Sequence, residues 1–169
     1  MQMAARQTGA SLRFLECEED GRITQERLDQ AFSRHTRLVA IAHVSNVLGC
    51  VNPVKEIVSM ARKHGAVVVL DAAQSAPHMP IDVRALDVDF LAFSGHKLMG
   101  PMGIGVLYGN VPFWRKCRPF SPEEMIDSVT RTNAVFAPVP HKFEAGTVNA
   151  AGAWGMKAAW ITLKPLVLM

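Results

Sequence analysis

The chain has 169 residues, a formal charge of +3 from 18 Lys and Arg against 15 Asp and Glu, and 49% hydrophobic residues. This length and apolar fraction suffice for one folded domain with its own core. The small excess of base is scattered along the sequence, which argues against an acidic tail or a polybasic arm, and we expect no nucleic-acid partner. The longest aliphatic runs, at 38–42 and 66–70, are far shorter than the ~20 residues of a membrane span, and the first residues hold no apolar signal-peptide core.

Three cysteines are present, Cys17, Cys50 and Cys117, and they form no C-x-x-C pair. An odd number of dispersed cysteines predicts free thiols in a reducing, cytoplasmic compartment. The six histidines are equally dispersed, without the paired spacings that zinc sites use, so the sequence predicts no metal site.

The first part of the chain predicts a strand, a turn, a helix and a second strand. Residues 11–16 alternate apolar and polar side chains, as a strand with one covered face would, and a turn at 20–21 follows. Thr24 is a good N-cap for a short helix that places Leu28 on its inner face. The continuous apolar run at 38–43 predicts a buried strand.

The helix predicted over 53–64 has the clearest boundaries. Asn52 can accept hydrogen bonds from its first free N–H groups, Pro53 needs no hydrogen-bond acceptor there, and Gly65 follows the last turn. Apolar residues recur at i, i+3, i+4 and i+7, so the helix has one stripe that can pack on a sheet.

Further strands are predicted at 66–70, 90–93 and 104–108. Apolar strands separated by helices predict an α/β fold, a mostly parallel sheet with helices on both faces. Segment 110–145 is rich in proline and lacks clear periodicity, so we expect loops and short helices there. A last helix is predicted over 152–163, and we expect it to stop before Pro165.

The chain begins within helix-like sequence and stops about one helix after its last motif, without a closing strand. We therefore expect residues 1–169 to be the central part of a larger domain, incomplete at both ends. An N-terminal segment and a small C-terminal domain would then lie outside this sequence.

Polar and charged residues follow three of the predicted strands. They lie at the edge where ligands bind in open parallel sheets. One such ending means little, because loops are commonly polar, but three in succession indicate a site. The residues are Asn46, Asp71, Gln74, Ser94, His96 and Lys97.

Asp71 and Lys97 are the most informative pair. A carboxylate directly after five apolar residues would be partly desolvated and would need a cation or an N–H group to stay ionised. Lys97 is reached through Gly95 and is followed by further glycines, which would let the backbone approach a ligand closely. A desolvated lysine amine can attack a carbonyl carbon. In the structural alternative Asp71 caps a helix or pairs with Lys97, and Lys97 is an ordinary surface charge.

The combination fits pyridoxal phosphate, which needs a lysine for its aldehyde, a carboxylate for its ring nitrogen and donors for its phenolic oxygen and phosphate. Lys97 and Asp71 supply the first two groups. The donors are Gln74 and Asn46, then Ser94 and His96. A dinucleotide site is the weaker alternative, because the nearest glycine motif, at 100–105, leads into a strand. His43 is expected to be structural.

Four motifs occur in order along the chain. They are His43-Val44-Ser45-Asn46-Val47-Leu48-Gly49, Asp71-Ala72-Ala73-Gln74, Ser94-Gly95-His96-Lys97 with Gly100-Pro101, and Phe143-Glu144-Ala145-Gly146-Thr147. Together they resemble the class V aminotransferase family and, more narrowly, the SUF-type cysteine desulfurases. The resemblance implies the large domain of a fold-type I transferase that depends on pyridoxal phosphate and acts as a homodimer.

The resemblance also implies residue roles. Lys97 would be the catalytic lysine that bonds to the cofactor aldehyde, and Asp71 would pair with the ring nitrogen. The other contacts would come from Gln74 and Asn46 at the phenolic oxygen and from Ser94, His96 and, across the dimer, Thr147 at phosphate. In the family, L-cysteine becomes alanine, and its sulfur passes as a persulfide to an enzyme cysteine and then to an acceptor protein for iron–sulfur cluster assembly.

Departures from the family leave the activity open. The nucleophilic cysteine and the carboxylate-binding arginine would lie after Met169, and residues 120–124 stand where the family has a triple-glycine turn. None of the three cysteines occupies the nucleophile's position, and Cys50 is expected to be a bystander thiol. Alternatives are a selenocysteine lyase or another class V enzyme, and a non-catalytic fragment that is poorly soluble and binds the cofactor weakly.

Overall fold

The structure, a computed structural model, describes residues 1–119 and 125–167. Its main element is a four-stranded sheet in the order β1-β2-β3-β4. The strands are β1 (Leu38–Ala42), β2 (Val67–Asp71), β3 (Phe90–Ser94) and β4 (Gly105–Gly109). The first three are parallel, and β4 runs antiparallel to β3. The predicted mostly parallel α/β sheet is therefore confirmed, whereas residues 120–124 lie outside the described residues.

The helices are α1 (Gln2–Thr8), α2 (Gln25–Ala31), α3 (Val54–Lys63), α4 (Val83–Leu86), α5 (Val111–Lys116) and α6 (Ala150–Val167). Thr24 caps α2 as predicted, since its hydroxyl accepts from the N–H of Arg27 at 3.4 Å. Gly65 follows α3 with a φ of +64°, as predicted for a helix end. Within the described residues, no helix is both long enough and apolar enough to cross a bilayer.

The core lies on one face of the sheet. There Val68 and Leu70 of β2 and Leu91 of β3 pack with Val58 and Ala61 of α3. Val68 and Leu70 are fully buried, at 0% exposure. Burial of each such side chain contributes roughly 1.5–3 kcal/mol, so this layer holds the strands at fixed positions.

The second face of the sheet is covered only in part. Phe90 alternates with the core residue Leu91, so it points to this second face, where two aromatic rings of α5 lie at centroid distances of 5.4 and 5.8 Å. Leu38 of β1 and Leu107 of β4 remain 46% and 50% exposed. We expected helices to cover both faces of the sheet. In the described structure they cover one face fully. On the other face α5 reaches only the border of β3 and β4.

Two predictions about secondary structure were wrong because pairing and packing override local pattern. Residues 11–16 form no strand, and Phe14 among them is 66% exposed, so no neighbouring strand or core holds them. Segment 110–145 contains more than loops and short helices. It also forms the antiparallel hairpin of β5 (Ile126–Val129) and β6 (Ala134–Phe136).

Two boundary predictions were also wrong. Helix α6 continues past Pro165, and Ala159 and Leu163, both less than 10% exposed, hold it against the protein. Asn52 does not cap α3, because its side-chain amide donates to the carbonyl of Ala42 at 2.7 Å, and the N-cap position is taken by Pro53. The side chain of Asn52 therefore ties the end of the loop at residues 43–51 back to the last residue of β1.

An ion-pair network joins α3 to the amino end of β3. Arg62 Nη1 lies 2.8 Å from Asp89 Oδ2, and its Nε lies 3.0 Å from Asp87 Oδ2. The side chain of Asp89 is 6% exposed, that of Asp87 71%. Asp89 Oδ2 also accepts from the N–H of Val68 at 2.7 Å, so this network ties the helix to two strands.

Candidate active site

The strands β1, β2 and β3 end at the same edge of the sheet because they are parallel. The register aligns Ala42, Asp71 and Ala92 across this edge. Ser94 lies two residues beyond Ala92, so Asp71 and Ser94 project from the same face of the sheet, the second face. We call the ends of these strands and the residues that follow them the rim. The structure therefore brings two sequence-predicted site residues to one face of the rim.

Asp71 is the last residue of β2, and its side chain is exposed. Its Oδ1 accepts from the N–H of Ala73 at 2.9 Å, and its carbonyl accepts from the N–H of His43 at 2.8 Å. The expected N–H partner is thus present, whereas the expected desolvation was wrong, because the second face is open here. Among the described residues, no ion pair includes Asp71 or Lys97, so the alternative of a structural pair between them is also wrong.

Lys97 lies in a 3-10 turn, Gly95–Leu98, that directly follows β3. Leu98 is 2% exposed and packs with Ala76 and Leu163. Lys97 and His96 are exposed. We call residues 95–98 the lysine turn: Leu98 fixes it to the protein and leaves the two side chains before it open to solvent.

The glycines beside Lys97 let the chain pack on itself. A Cβ on Gly95 would lie 2.9 Å from the carbonyl oxygen of Ile104, and one on Gly100 would lie 2.8 Å from that of Gly95. Backbone hydrogen bonds join the same residues, at 2.8 Å from Gly95 to Ile104 and 3.0 Å from Gly100 to Gly95. We expected these glycines to admit a ligand. In the structure, Gly95 and Gly100 close the lysine turn against its own backbone.

Helix α6 packs directly on the lysine turn. A Cβ on Gly155 would lie 2.6 Å from Cγ of Pro101, and Met156 Sδ lies 3.3 Å from the position of a Cβ on Gly95. Thr147 is exposed and lies just before α6. No hydrogen bond within the described part of the chain joins Thr147 to the lysine turn, and its role across a dimer stays a prediction.

Gln74 and Asn46 occupy the loops that follow β2 and β1. The carbonyl of Gln74 lies 2.6 Å from Nδ1 of His78, which fixes the first of these loops. Asn46 is exposed in a loop closed by the backbone bridge between Val44 and Val51. Neither side-chain amide is hydrogen-bonded within the described residues, so both are available to a ligand at the rim.

His43 is a buried titratable group at the rim. It is 5% exposed, and its Nδ1 has no hydrogen-bond partner among the described residues. Burial lowers the pKa of His43 below its usual value. Because its N–H closes the ladder between β1 and β2 at Asp71, the expected structural role fits its surroundings.

The cysteines contribute little to the rim. All three are free, and Cys17 is exposed and lies outside any strand. Cys50 lies in the same loop as Asn46, and its thiol donates to the carbonyl of Asp20 at 3.3 Å. In residues 1–119 and 125–167, no group of His, Cys, Asp and Glu is arranged to hold a metal ion.

Two surface depressions lie away from the rim. One, of about 580 Å³, is lined by Cys17, Glu18, Glu19, Asp20 and Arg27. The other, of about 440 Å³, lies between α5 and the segment that follows β6. Neither includes Lys97 or Asp71, because the open second face leaves the rim without a wall in the described structure. The site is therefore identified from its chemistry and register and not from a cavity.

Comparison with known proteins defines the class. The family described as aminotransferase class-V matches residues 1–166, and this chain belongs to that family. More particularly, the chain is similar to cysteine desulfurases. A probable cysteine desulfurase of Halalkalibacterium halodurans is 51% identical over 159 residues, covering 94% of this chain and 39% of that protein. A cysteine desulfurase of Shigella sonnei is 45% identical over 160 residues, with 94% and 39% covered.

Solved structures agree with this assignment. The cysteine desulfurase CsdA of Escherichia coli superposes with a TM-score of 0.91 at 38% identity, covering 96% of this chain and 41% of that one. An apo cysteine desulfurase of Thermococcus onnurineus gives 0.89 at 38% identity, covering 98% and 42%. The fold is therefore that of fold-type I enzymes, as the motifs implied. The chain spans about two fifths of the length of the curated relatives it matches.

Proposed function

We propose that this chain supplies the cofactor-binding rim of a pyridoxal-phosphate-dependent cysteine desulfurase, as part of its large domain. The substrate would be L-cysteine, which loses its sulfur to a protein thiol and leaves as alanine. The observation that carries the proposal is the shared face of Asp71 and Ser94, directly beside the lysine turn. The 51% identity to a probable cysteine desulfurase supports the choice of reaction within the family.

The donor set at the rim fits pyridoxal phosphate. When bound, this cofactor would supply an aldehyde and an aromatic ring that stabilises negative charge on the substrate's α-carbon. Lys97 offers an exposed amine to the aldehyde. Asp71 would stabilise a proton on the ring nitrogen, because an opposite charge nearby favours the cationic form. The hydroxyl of Ser94 and the ring of His96 would donate to phosphate.

The protein's own contacts determine how well these groups are positioned. The N–H groups of Ala73 and His43 donate to Asp71 and hold it at the end of β2. The backbone position from which its carboxylate extends is therefore fixed. Lys97 has a flexible side chain on an anchored turn, so its Nζ can bind at one position and carry a proton at another. The free amides of Gln74 and Asn46 would donate to the phenolic oxygen.

A homodimer and a sulfur-acceptor protein belong to the same proposal. Helix α6 exposes Trp154 at 72% and Ile161 at 60%, and large exposed apolar side chains indicate contact with further protein. Thr147, just before this helix, would reach the phosphate held by the other subunit. The free cysteines support a reducing compartment, and we propose the cytoplasm.

Covalent trapping of the cofactor tests the proposed site. The purified protein would be incubated with pyridoxal phosphate, reduced with borohydride, digested and mapped by mass spectrometry. We expect the label on Lys97 in large excess over Lys157, an exposed lysine of α6. The Lys97→Ala variant should lose this label, and the matched Lys157→Ala variant should keep it. Equal labelling of the two lysines in the unaltered protein would contradict the proposed site.

Product analysis tests the proposed reaction separately. In the full-length enzyme of which we propose this chain to be a part, alanine should form from L-cysteine with the unaltered sequence and with Lys157→Ala, and it should be absent with Lys97→Ala. If Lys97 is labelled and selenocysteine is consumed while L-cysteine is not, the site assignment stands and the substrate is wrong. A label on Lys97 with neither amino acid consumed would contradict the enzymatic proposal and favour a binding fragment.

A further inference from the structure

Asn52 lies between the loop at residues 43–51 and helix α3, and the proposed cofactor contacts do not include it. It is half-buried, and α3 has no side-chain cap. Its side-chain Nδ2 donates to the carbonyl of Ala42 at 2.7 Å, and its main-chain N–H donates to the carbonyl of His43 at 2.9 Å. Asn52 therefore holds both the last residue of β1 and the residue that follows it.

The two residues held by Asn52 are the ones that adjoin Asp71. Ala42 is the register partner of Asp71 in the pairing of β1 with β2. The N–H of His43 donates to the carbonyl of Asp71 at 2.8 Å. The contacts thus run from Asn52 through the end of β1 to the backbone from which the carboxylate of Asp71 extends. A change at residue 52 would reach that backbone without altering Asp71 itself.

Asn52 also closes the loop that carries Asn46. The interior of this loop is hydrogen-bonded to itself. The N–H of Ser45 donates to the carbonyl of Cys50 at 3.0 Å, and the hydroxyl of Ser45 accepts from the N–H of Leu48 at 3.1 Å. Because these bonds fix the shape of the loop and Asn52 ties its far end to β1, the position of Asn46 relative to the sheet depends on Asn52.

We propose that Asn52 is a positioning residue of the rim, which sets Asn46 and Asp71 relative to each other before a ligand arrives. This inference rests on the proposed function for the identity of the ligand. There Asn46 would donate to the phenolic oxygen and Asp71 would stabilise the proton on the ring nitrogen, so one rigid ring would contact the ends of two strands. Groups that already stand at the right separation bind such a ring more tightly, because less freedom is lost on binding.

The proposal requires a hydrogen-bond donor at residue 52. Aspartate has nearly the size of asparagine, but its carboxylate has no N–H to donate and would repel the carbonyl oxygen of Ala42. A negative charge just before α3 favours the helix dipole, so Asn52→Asp should leave that helix formed. Asn110→Asp is the matched control, because Asn110 precedes α5 in the same way and its side chain caps no N–H of that helix.

Titration of the full chain with pyridoxal phosphate, followed by visible absorbance, tests the proposal. Asn52→Asp should weaken binding about tenfold, as expected when repulsion replaces a hydrogen bond, and Asn110→Asp should bind normally. In an Asn46→Ala background the loss caused by Asn52→Asp should shrink to about threefold or less, because the part transmitted through Asn46 is already gone. Urea denaturation without cofactor checks folding. If Asn52→Asp unfolds, Asn52→Ala against Asn110→Ala replaces the comparison.

Hydrogen exchange measured by mass spectrometry gives a readout that needs no cofactor. The N–H groups of His43 and Ser45 should exchange faster in Asn52→Asp than in Asn110→Asp, since their acceptors are less firmly held. Equal cofactor affinity of these two variants would overturn the proposal, as would an undiminished loss in the Asn46→Ala background. If the unaltered protein binds no pyridoxal phosphate, the proposed function fails and exchange alone decides. Equal exchange in the two variants would then overturn the positioning role, and faster exchange in Asn52→Asp would support it.

Discussion

The two ends of the sheet use their charged groups in opposite ways. At the amino end of β3, Arg62 bonds to Asp87 and Asp89, and buried Asp89 also accepts from a backbone N–H. At the carboxyl end, Asp71 is exposed and Lys97 has no ion-pair partner among the described residues. The difference teaches that charges at the first end stabilise the fold, whereas those at the second make no ion pair among the described residues and, in our proposal, meet a ligand, as expected for the carboxyl edge of a parallel sheet.

The largest expected effect on stability comes from disrupting the ion-pair network at the amino end of β3. Asp89→Ala removes a buried carboxylate and leaves the N–H of Val68 and the guanidinium of Arg62 without that partner. We expect the free energy of unfolding, measured by urea denaturation, to fall by about 3 kcal/mol. Asp87→Ala is the matched control, since its side chain is 71% exposed, and it should cost less than about 1 kcal/mol. Equal losses in both variants would mean that burial does not decide the contribution.

His43 gives a further test of the comparison between the two ends. It is a buried titratable group at the carboxyl end of the sheet, where Asp71 and Lys97 are exposed. Burial lowers its pKa, so as the pH falls below about 6.5 the unfolded chain takes up a proton that the folded chain does not. Stability should therefore fall with decreasing pH, by at most about 1.4 kcal/mol per pH unit, from about 6.5 down to the lowered pKa of the folded state. Urea denaturation across this range should show a smaller fall in His43→Gln. Identical pH profiles of the two proteins would refute this assignment.

The smallest expected effect is at the rim itself. Asp71→Asn and Lys97→Ala alter exposed groups outside the core, so each should change the free energy of unfolding by no more than about 0.5 kcal/mol. Urea denaturation without cofactor measures this directly. If either variant lost about 2 kcal/mol of the free energy of unfolding, that residue would stabilise the fold as Asp89 does. The proposed difference between the two ends of the sheet would then be wrong.

Much of the fold follows from short-range pattern. The strands β1 to β3 were predictable as apolar runs of strand length, and α2 from its cap at Thr24. The failures depend on partners distant in sequence. Residues 11–16 have a strand pattern without a neighbouring strand, and α6 passes Pro165 because Leu163 is buried against the protein. Asn52 bonds to Ala42 instead of its own helix.

The candidate site was easier to predict than the groups around it. Parallel strands end at one edge, so order along the chain was enough to place Asp71 beside Ser94. The buried ion pair was missed, because Arg62 and Asp89 are 27 residues apart in the sequence.

The lysine turn places a fully packed residue, Leu98, next to Lys97, whose amine we propose to bond to the cofactor, on the same short backbone segment. The flexibility available to Lys97 therefore begins at its side chain and not at its α-carbon. A substitution that shortened Leu98 would touch no reacting atom, yet it would loosen the pivot about which the amine swings. Changes in the hydrophobic interior could in this way alter turnover while every polar group at the rim stayed intact.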